Sequence, residues 1–315
     1  MLGIEDIAFH LPEGRVDLLN KKVLERFDIT ESFLIDKTGF TKIARRDDGQ
    51  EPTDLAMPAI IELMEKTGVG AEEFDYCVFV TQNPDQAGLP HASAVLHDKL
   101  GLSSACPVFD LSLGCSGWVH GLLVLKALMQ QDGRTRGLLV TCDPYSKIIG
   151  DNDRDTILLF GDGAAATLLS DKPVWSIGST DLGTASRRFD AIQTGVDGKL
   201  HMKGREVFNF AAQNVPNSIR RTLEKEGIDL AQVDRFVLHQ GSKYIVDTIA
   251  KRLDVSDKAV FTSANYGNTV SSSIPIALMQ GCEETDNVVV VSGFGVGLAW
   301  ATAILRRTPM EREAQ

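Results

Sequence analysis

PVFDLSLGCSGWVHGLLVLKALMQ, residues 107–130, is the stretch that decides the fold class. It opens on a short strand-like run, Pro107 to Asp110, and continues from Ser116 to Gln130 with the length and spacing of a helix. Val119, Leu122, Leu123, Val124, Leu125 and Leu128 leave that helix almost no polar face, so it is expected to be buried all round. A helix of that kind needs protein on every side, which a layered α/β architecture supplies.

The same strand-then-helix rhythm extends outward in both directions. Strand-like Cys77 to Thr81 and helix-like His91 to Leu100 precede the stretch. Strand-like Phe236 to His239, helix-like Lys243 to Leu253, helix-like Ser272 to Cys282 and strand-like Val288 to Ser292 follow later. Ala127-Leu128-Met129-Gln130 recurs as Ala277-Leu278-Met279-Gln280, and the next strands begin after the same interval, at Leu138 and Val288. Phe79-Val80-Thr81-Gln82 is echoed at a different offset by Val237-Leu238-His239-Gln240. These echoes imply an internal duplication with loop insertions. The join is expected between Leu169 and Val174, dividing the chain into halves at residues 1–170 and 171–315. Strands that read as near-continuous apolar runs need helices on both sheet faces, so a shared central helix layer is expected.

Composition narrows the function classes. The 315 residues are 43% hydrophobic and 24% charged, ordinary for a globular α/β protein, and the formal net charge of -11 disfavours nucleic acid as a partner. No apolar run approaches the roughly 20 residues of a membrane helix, and the N-terminus lacks a basic region followed by an apolar one, so a cytoplasmic location is expected. Five scattered cysteines, Cys77, Cys106, Cys115, Cys142 and Cys282, form no C-x-x-C pair, and free thiols are expected. Asp151-x-Asp153-x-Asp155 lacks the glycine and glutamate of a calcium loop and is read as no metal site.

A lone cysteine is most often a small buried hydrophobe. Cys115 differs in standing between a strand and the N-terminus of the buried helix, in the glycine-flanked elbow Gly114-Cys115-Ser116-Gly117. The helix dipole and unsatisfied N–H groups there are expected to lower its pKa from ~8.5 toward neutrality. Gly114 and Gly117 are expected to let a substrate approach the backbone closely. His239 ends a strand, at the edge where α/β sites form. Asn268 lies in the turn-rich loop Ser263 to Ser273, which leads into a helix.

Together these segments resemble the ketosynthase III branch of the thiolase superfamily, the β-ketoacyl-acyl carrier protein synthases that start fatty-acid chains. The resemblance runs nearly end to end through Lys37-Thr38-Gly39, Phe109-Asp110 with the Cys115 elbow, and Asp153-Arg154. It continues through Phe160-Gly161-Asp162-Gly163, Leu200 to Phe208, His239-Gln240, Tyr266-Gly267-Asn268-Thr269 and Gly293-Phe294-Gly295-Val296-Gly297. It implies a five-layered αβαβα duplication found as a homodimer, with Cys115, His239 and Asn268 as catalytic residues. It also implies backbone N–H groups of Cys115 and Val296 as oxyanion donors. The reaction implied is a decarboxylative Claisen condensation of an acyl-CoA primer with a malonyl thioester through an acyl-Cys115 intermediate. Coenzyme A thioesters would be substrates, with no further cofactor, and an acyl carrier protein the partner.

Asn268 separates this pattern from relatives that carry an acidic residue there, because a neutral amide can donate a hydrogen bond beside a developing enolate. A non-decarboxylating acyltransferase and a non-catalytic heterodimer subunit are the alternatives on the same fold. Phe33, Lys37 and Arg154 match positions that hold coenzyme A in relatives, and Leu89 matches one that closes the partner subunit's primer pocket. Lys251 and Arg252 match part of a carrier-protein docking patch, but Asn209 and Tyr244 stand where relatives often have basic residues. His239-Gln240 is followed by Gly241-Ser242 rather than Ala-Asn, and Val296 interrupts a run of glycines.

Overall fold

The computed structural model describes residues 1–309. Its main sheet has nine strands: β1 (Gly3–His10), β2 (Tyr76–Val80), β3 (Val108–Leu111), β4 (Arg136–Cys142), β5 (Ala164–Ser170), β6 (Trp175–Thr184), β7 (Arg235–Leu238), β8 (Val288–Gly295) and β9 (Ala299–Arg307). The principal helices are α1 (Pro52–Thr67), α2 (Ala92–Leu100), α3 (Gly117–Asp132), α4 (Gly204–Glu226), α5 (Lys243–Leu253) and α6 (Ser273–Gly281).

In space the strands run β7-β8-β9-β6-β1-β5-β4-β2-β3. The order is that of two matched sheets meeting at β1 and β6, which share only the pairs Gly3↔Ser176 and Ile4↔Trp175. In the first half β2 pairs in parallel with β3 and β4, and β5 returns antiparallel to β4 and β1. In the second half β7 pairs in parallel with β8, and β9 returns antiparallel to β8 and β6. Even the counterpart of β3 survives as a single parallel bridge, Phe236↔Ala259.

Three apolar clusters separate the layers. Leu55, Ile60 and Leu63 of α1 pack with Phe79, Leu138 and Leu168 on one face of the first sheet. Ile219 and Leu223 of α4 and Ile249 of α5 pack with Phe236, Val290 and Ile304 on the far face of the second. Between the sheets, Trp118, Leu122 and Leu125 of α3 and Ile274 and Ala277 of α6 meet Val78, Leu139, Val289 and Ala303. The helix layers and two sheets therefore stack as αβαβα. Full burial on both faces explains why β2 is apolar at every position rather than alternating. Trp118 enters this dry layer because its indole N–H donates to Thr167 Oγ1 at 3.0 Å.

Both sequence echoes fall on matched elements. Ala127–Gln130 lies in α3 and Ala277–Gln280 in α6, while Thr81-Gln82 and His239-Gln240 follow the ends of β2 and β7. Among the described residues no helix is long and apolar enough to cross a membrane, and no group of three or more His, Cys, Asp or Glu is placed to hold a metal. The Asp153 carboxylate is spent on its own helix start, accepting from Asp155 N at 3.1 Å and Thr156 Oγ1 at 2.7 Å. All five cysteines are free thiols.

Candidate active site

The elbow that carries Cys115 connects β3 to α3. Its glycines are required, but not for the substrate access expected above: the protein itself fills the space. A Cβ on Gly117 would lie 2.3 Å from Val80 Cγ1, and one on Gly114 would lie 2.7 Å from Gln82 Oε1 and 2.8 Å from Val296 Cγ1. The second half closes over the elbow with the same economy. A Cβ on Gly295, the last residue of β8, would stand 2.7 Å from Cys115 Sγ.

The expectation of a lowered Cys115 pKa is corrected. The residue is 5% exposed. Burial pushes the thiol up to about 12, Asp143 adds to the rise, and hydrogen bonds from the backbone N–H groups of Cys115 and Val296 pull the other way. Withholding water from a thiolate costs more than those donors return, so the resting group is a thiol.

His239 follows β7, and its imidazole is buried. Nδ1 lies 2.7 Å from Ser273 Oγ at the start of α6, and the Phe294 ring meets the imidazole edge-on at 5.4 Å between centroids. Burial lowers its pKa to about 3, so the ring is neutral. Asn268 is clamped by its backbone: its N–H donates to Leu159 O and its carbonyl accepts from Gly161 N, both at 2.9 Å. Gly267 before it has φ +80° and would bring a Cβ to 3.0 Å from Leu159 O, so glycine is the residue that fits. Asn268 Oδ1 accepts from Val270 N at 2.9 Å, which turns the Nδ2 donor of the amide outward.

One cavity of about 510 Å³ is lined by Cys115, His239, Asn268, Phe294 and Gly295, and also by Phe33, Lys37 and Arg154. Lys37 Nζ stands 4.4 Å over the Tyr244 ring, which stacks on Phe208 at 5.1 Å. Tyr244 thus gives the cavity an aromatic wall in place of the basic residue that the resemblance implies. Ser242 also lines the cavity and caps α5 by accepting from Ile245 N at 3.3 Å.

Four of the residues singled out from the sequence, Leu89, Lys251, Arg252 and Val296, do not line this cavity. Leu89 is 88% exposed. Lys251 and Arg252 are in the last turn of α5, and Arg252 Nη1 donates to Ala212 O at 2.6 Å, so that side chain is partly committed to the fold. Val296 finds room for its branched side chain over Gly114 and lines a second, neighbouring cavity of about 240 Å³.

Sequence reasoning missed Ser273, Asp143 and Arg205. Arg205 lines the cavity beside Arg154. Ser273 is one of three consecutive serines, and no pattern marks which of them faces the histidine. Asp143 is buried behind the elbow, where it accepts from Gln82 N at 3.1 Å and Asn83 Nδ2 at 2.8 Å. Burial raises it to about 7. Its place directly after β4, opposite the strand end that carries Gln82, was the available signal.

Comparison with known proteins gives a consistent pattern. Residues 109–186 match the sequence family described as 3-Oxoacyl-[acyl-carrier-protein (ACP)] synthase III, and residues 223–307 match its C-terminal counterpart. A β-ketoacyl-[acyl-carrier-protein] synthase III of Lactococcus lactis subsp. cremoris (strain MG1363) is 32% identical over 96% of this chain and 98% of its own. The crystal structure of 3-oxoacyl-(acyl carrier protein) synthase III from Pseudomonas aeruginosa PAO1 superposes with a TM-score of 0.89 at 29% identity, covering 98% of this chain and 99% of that one. The priming β-ketosynthase of the R1128 polyketide pathway superposes with a TM-score of 0.87 at 26% identity, covering 98% and 97%.

Proposed function

This chain belongs to the 3-oxoacyl-[acyl-carrier-protein] synthase III family, and from that premise we propose that it condenses an acyl-CoA primer with a malonyl thioester, releasing CO₂, in fatty-acid biosynthesis. The observation that carries the proposal is the convergence of Cys115, His239 and Asn268, from three different loops, on one cavity.

Cys115 Sγ attacks the primer thioester carbonyl, the bond to coenzyme A breaks, and the thiol proton leaves with the coenzyme A sulfur, giving acyl-Cys115 and free coenzyme A. Forming the acyl-enzyme splits one difficult displacement into two easier steps. Backbone N–H groups of Cys115 and Val296 already point at Sγ and serve the oxyanion that forms beside it. A phosphorylated coenzyme A is strongly anionic, and Lys37, Arg154 and Arg205 at the mouth give an otherwise acidic protein a local positive field for it. Phe33 offers a ring for the adenine.

The malonyl thioester then enters. A neutral imidazole whose Nδ1 accepts from the Ser273 hydroxyl carries its proton on Nε2. Asn268, with Oδ1 occupied by Val270, offers Nδ2. Both groups are thus donors, suited to the thioester carbonyl whose oxygen gains charge as the carboxylate departs. The enolate attacks the acyl group on Cys115, forming the new carbon–carbon bond and expelling the Cys115 thiolate, which takes up one proton from solvent to return to the thiol. The chemistry calls for no metal or resident cofactor. Exposed Leu89 fits a homodimer in which it closes the partner's primer pocket.

The test is release of CO₂ from a carboxyl-labelled malonyl thioester, with the acyl adduct followed by intact mass. Asn268→Ala is expected to lower CO₂ release by ~10² to 10³ while leaving the Cys115 adduct in place. An intact protein that forms the adduct but releases no CO₂ with any primer refutes decarboxylative condensation and leaves an acyltransferase.

A further inference from the structure

Two basic side chains at the large cavity are tied to acidic neighbours. Lys243 Nζ lies 2.6 Å from Asp247, and Arg154 Nε lies 3.7 Å from Asp155. Lys37 differs. It lines the cavity and forms no ion pair among the described residues, and its ammonium stands instead 4.4 Å over the ring of Tyr244. A ring attracts the cation through its quadrupole, yet it neither cancels the charge nor takes up the N–H donors as a carboxylate would.

Both members of this pair are held by packing. Lys37 lies in the single wide helical turn Leu34–Thr38, which ends on Gly39 at φ +72°. A Cβ on Gly39 would lie 2.3 Å from Lys243 Cβ and 2.9 Å from Phe261 Cζ, so that turn abuts the start of α5 with nothing between them. Tyr244 is the second residue of α5, and behind it the Phe208 ring of α4 stacks at 5.1 Å with 19° between the planes. The ring therefore has a fixed place, and it fixes the end of a side chain that would otherwise sample many rotamers. Ordering a lysine costs conformational entropy, and a contact made before the ligand arrives removes that cost from binding.

We propose that Tyr244 is a positioning residue for Lys37: its ring holds the ammonium, charged and with donors free, where a phosphate of coenzyme A arrives, and so favours thioesters on coenzyme A over the same acyl groups on bare pantetheine. The proposal rests on the reading of this cavity as the entrance for acyl-CoA and of Lys37 as a phosphate ligand there. It adds a residue that touches neither the phosphate nor the reacting atoms, and it assigns the aromatic side chain at position 244 a task that a basic one would oppose by like charge beside Lys37.

The experiment measures the second-order rate of Cys115 acylation by butyryl-CoA and by butyryl-pantetheine, followed by intact mass. In the parent the coenzyme A thioester is expected to react faster, and Lys37→Ala to lower that rate about tenfold, as for a lost charged hydrogen bond. Tyr244→Leu is expected to lower it about two- to fivefold, the size of a cation–π contact at an exposed site, while Tyr244→Phe keeps the parent rate. In the Lys37→Ala background Tyr244→Leu is expected to cost nothing further. Acylation by butyryl-pantetheine is expected to be the same in every variant, which also reports that each one folds. A coenzyme A rate that is unchanged or raised in Tyr244→Leu overturns the proposal, as does a loss that persists without Lys37 or that extends to butyryl-pantetheine. Equal parent rates with the two carriers, unmoved by Lys37→Ala, overturn the phosphate reading of Lys37 and the proposal with it.

Discussion

The two halves share a scaffold and differ where their strands end. Val80 pairs with Thr141 in the first half as Leu238 pairs with Ser292 in the second, so the residues that follow occupy matched positions. After β2 come Thr81 and Gln82, and after β7 come His239 and Gln240. Beyond β4 stands Asp143, whereas the matched position in β8 is Phe294. Before the first central helix stands Cys115, and before the second a longer loop delivers Asn268. Duplication thus supplied two equivalent rims, and divergence placed Cys115 at one and His239 and Asn268 at the other, all three lining one cavity. The Asp143 and Phe294 difference shows why the roles do not interchange: an aromatic edge beside His239 keeps the ring dry and neutral, while a carboxylate there would favour its charged form.

The comparison breaks most visibly at the cysteines. Cys115→Ala should abolish the acyl adduct and reduce condensation by ~10⁴-fold or more, whereas Cys282→Ala, at the end of the matched helix, should leave both intact. An adduct that persists in Cys115→Ala would remove the asymmetry on which the division of labour rests.

The matched acidic and aromatic positions come next. Asp143 titrates at about 7 in the folded protein because it is buried, against ~3.9 in an unfolded chain. The folded state therefore holds the extra proton between about pH 4 and 7, and this group's contribution to stability falls as pH rises through that window. Asp143→Asn should flatten that fall, gaining on the parent by as much as ~4 kcal/mol by pH 8, read from denaturant melts across pH. A parallel pair of stability curves would show that Asp143 is already ionised in the folded state.

Gly295→Ala should slow acylation by ~10²-fold, because the new Cβ would press on Sγ at 2.7 Å and displace the attacking atom. Single-turnover rates with one good primer measure it directly, and an unchanged rate would mean that the elbow yields.

The matched glutamines give the smallest effect and the finest contrast. Gln240 is fully buried, with Nε2 donating to Leu238 O at 2.7 Å and Val260 O at 3.1 Å, and Oε1 accepting from Thr262 N at 3.1 Å. Gln82 faces the small cavity instead. Gln240→Ala should cost about 2–3 kcal/mol in thermal or denaturant melts, and Gln82→Ala under about 1 kcal/mol. Equal losses would mean that Gln82 too is a structural residue.

Much of this was legible from residue order alone. The central helix announced itself because Ser116 to Met129 has almost no polar face, and its partner by the Ala-Leu-Met-Gln echo; it is not buried all round, since Leu123, Val124 and Leu128 are half-buried and Ala127 is exposed. Cys115, His239 and Asn268 stood out because each ends or precedes a periodic segment. The thiol's acidity was misread. A helix N-terminus is visible in sequence, but the depth to which Gly293, Gly295 and their strand cover it is not, and burial outweighs the dipole. Gly114 and Gly117 were recognised as necessary, yet the atoms that make them so come from β2 and from Val296 in the other half. Ser273 and Asp143 carried no local pattern, since each acts on a residue more than thirty positions away.

By itself, then, the sequence determined the layered fold, its duplication, and the residue types that meet at the site. These follow from hydrophobic period and turn chemistry, which are local. Folding in three dimensions settled what residue order could not: that burial keeps the Cys115 thiol protonated, that His239 and Asn268 line the same cavity as Cys115, and that Ser273 and Val270 take up one polar atom of each. Each of those depends on how much water is excluded and which distant atom takes the last hydrogen bond, and both are settled only when the two halves close on each other.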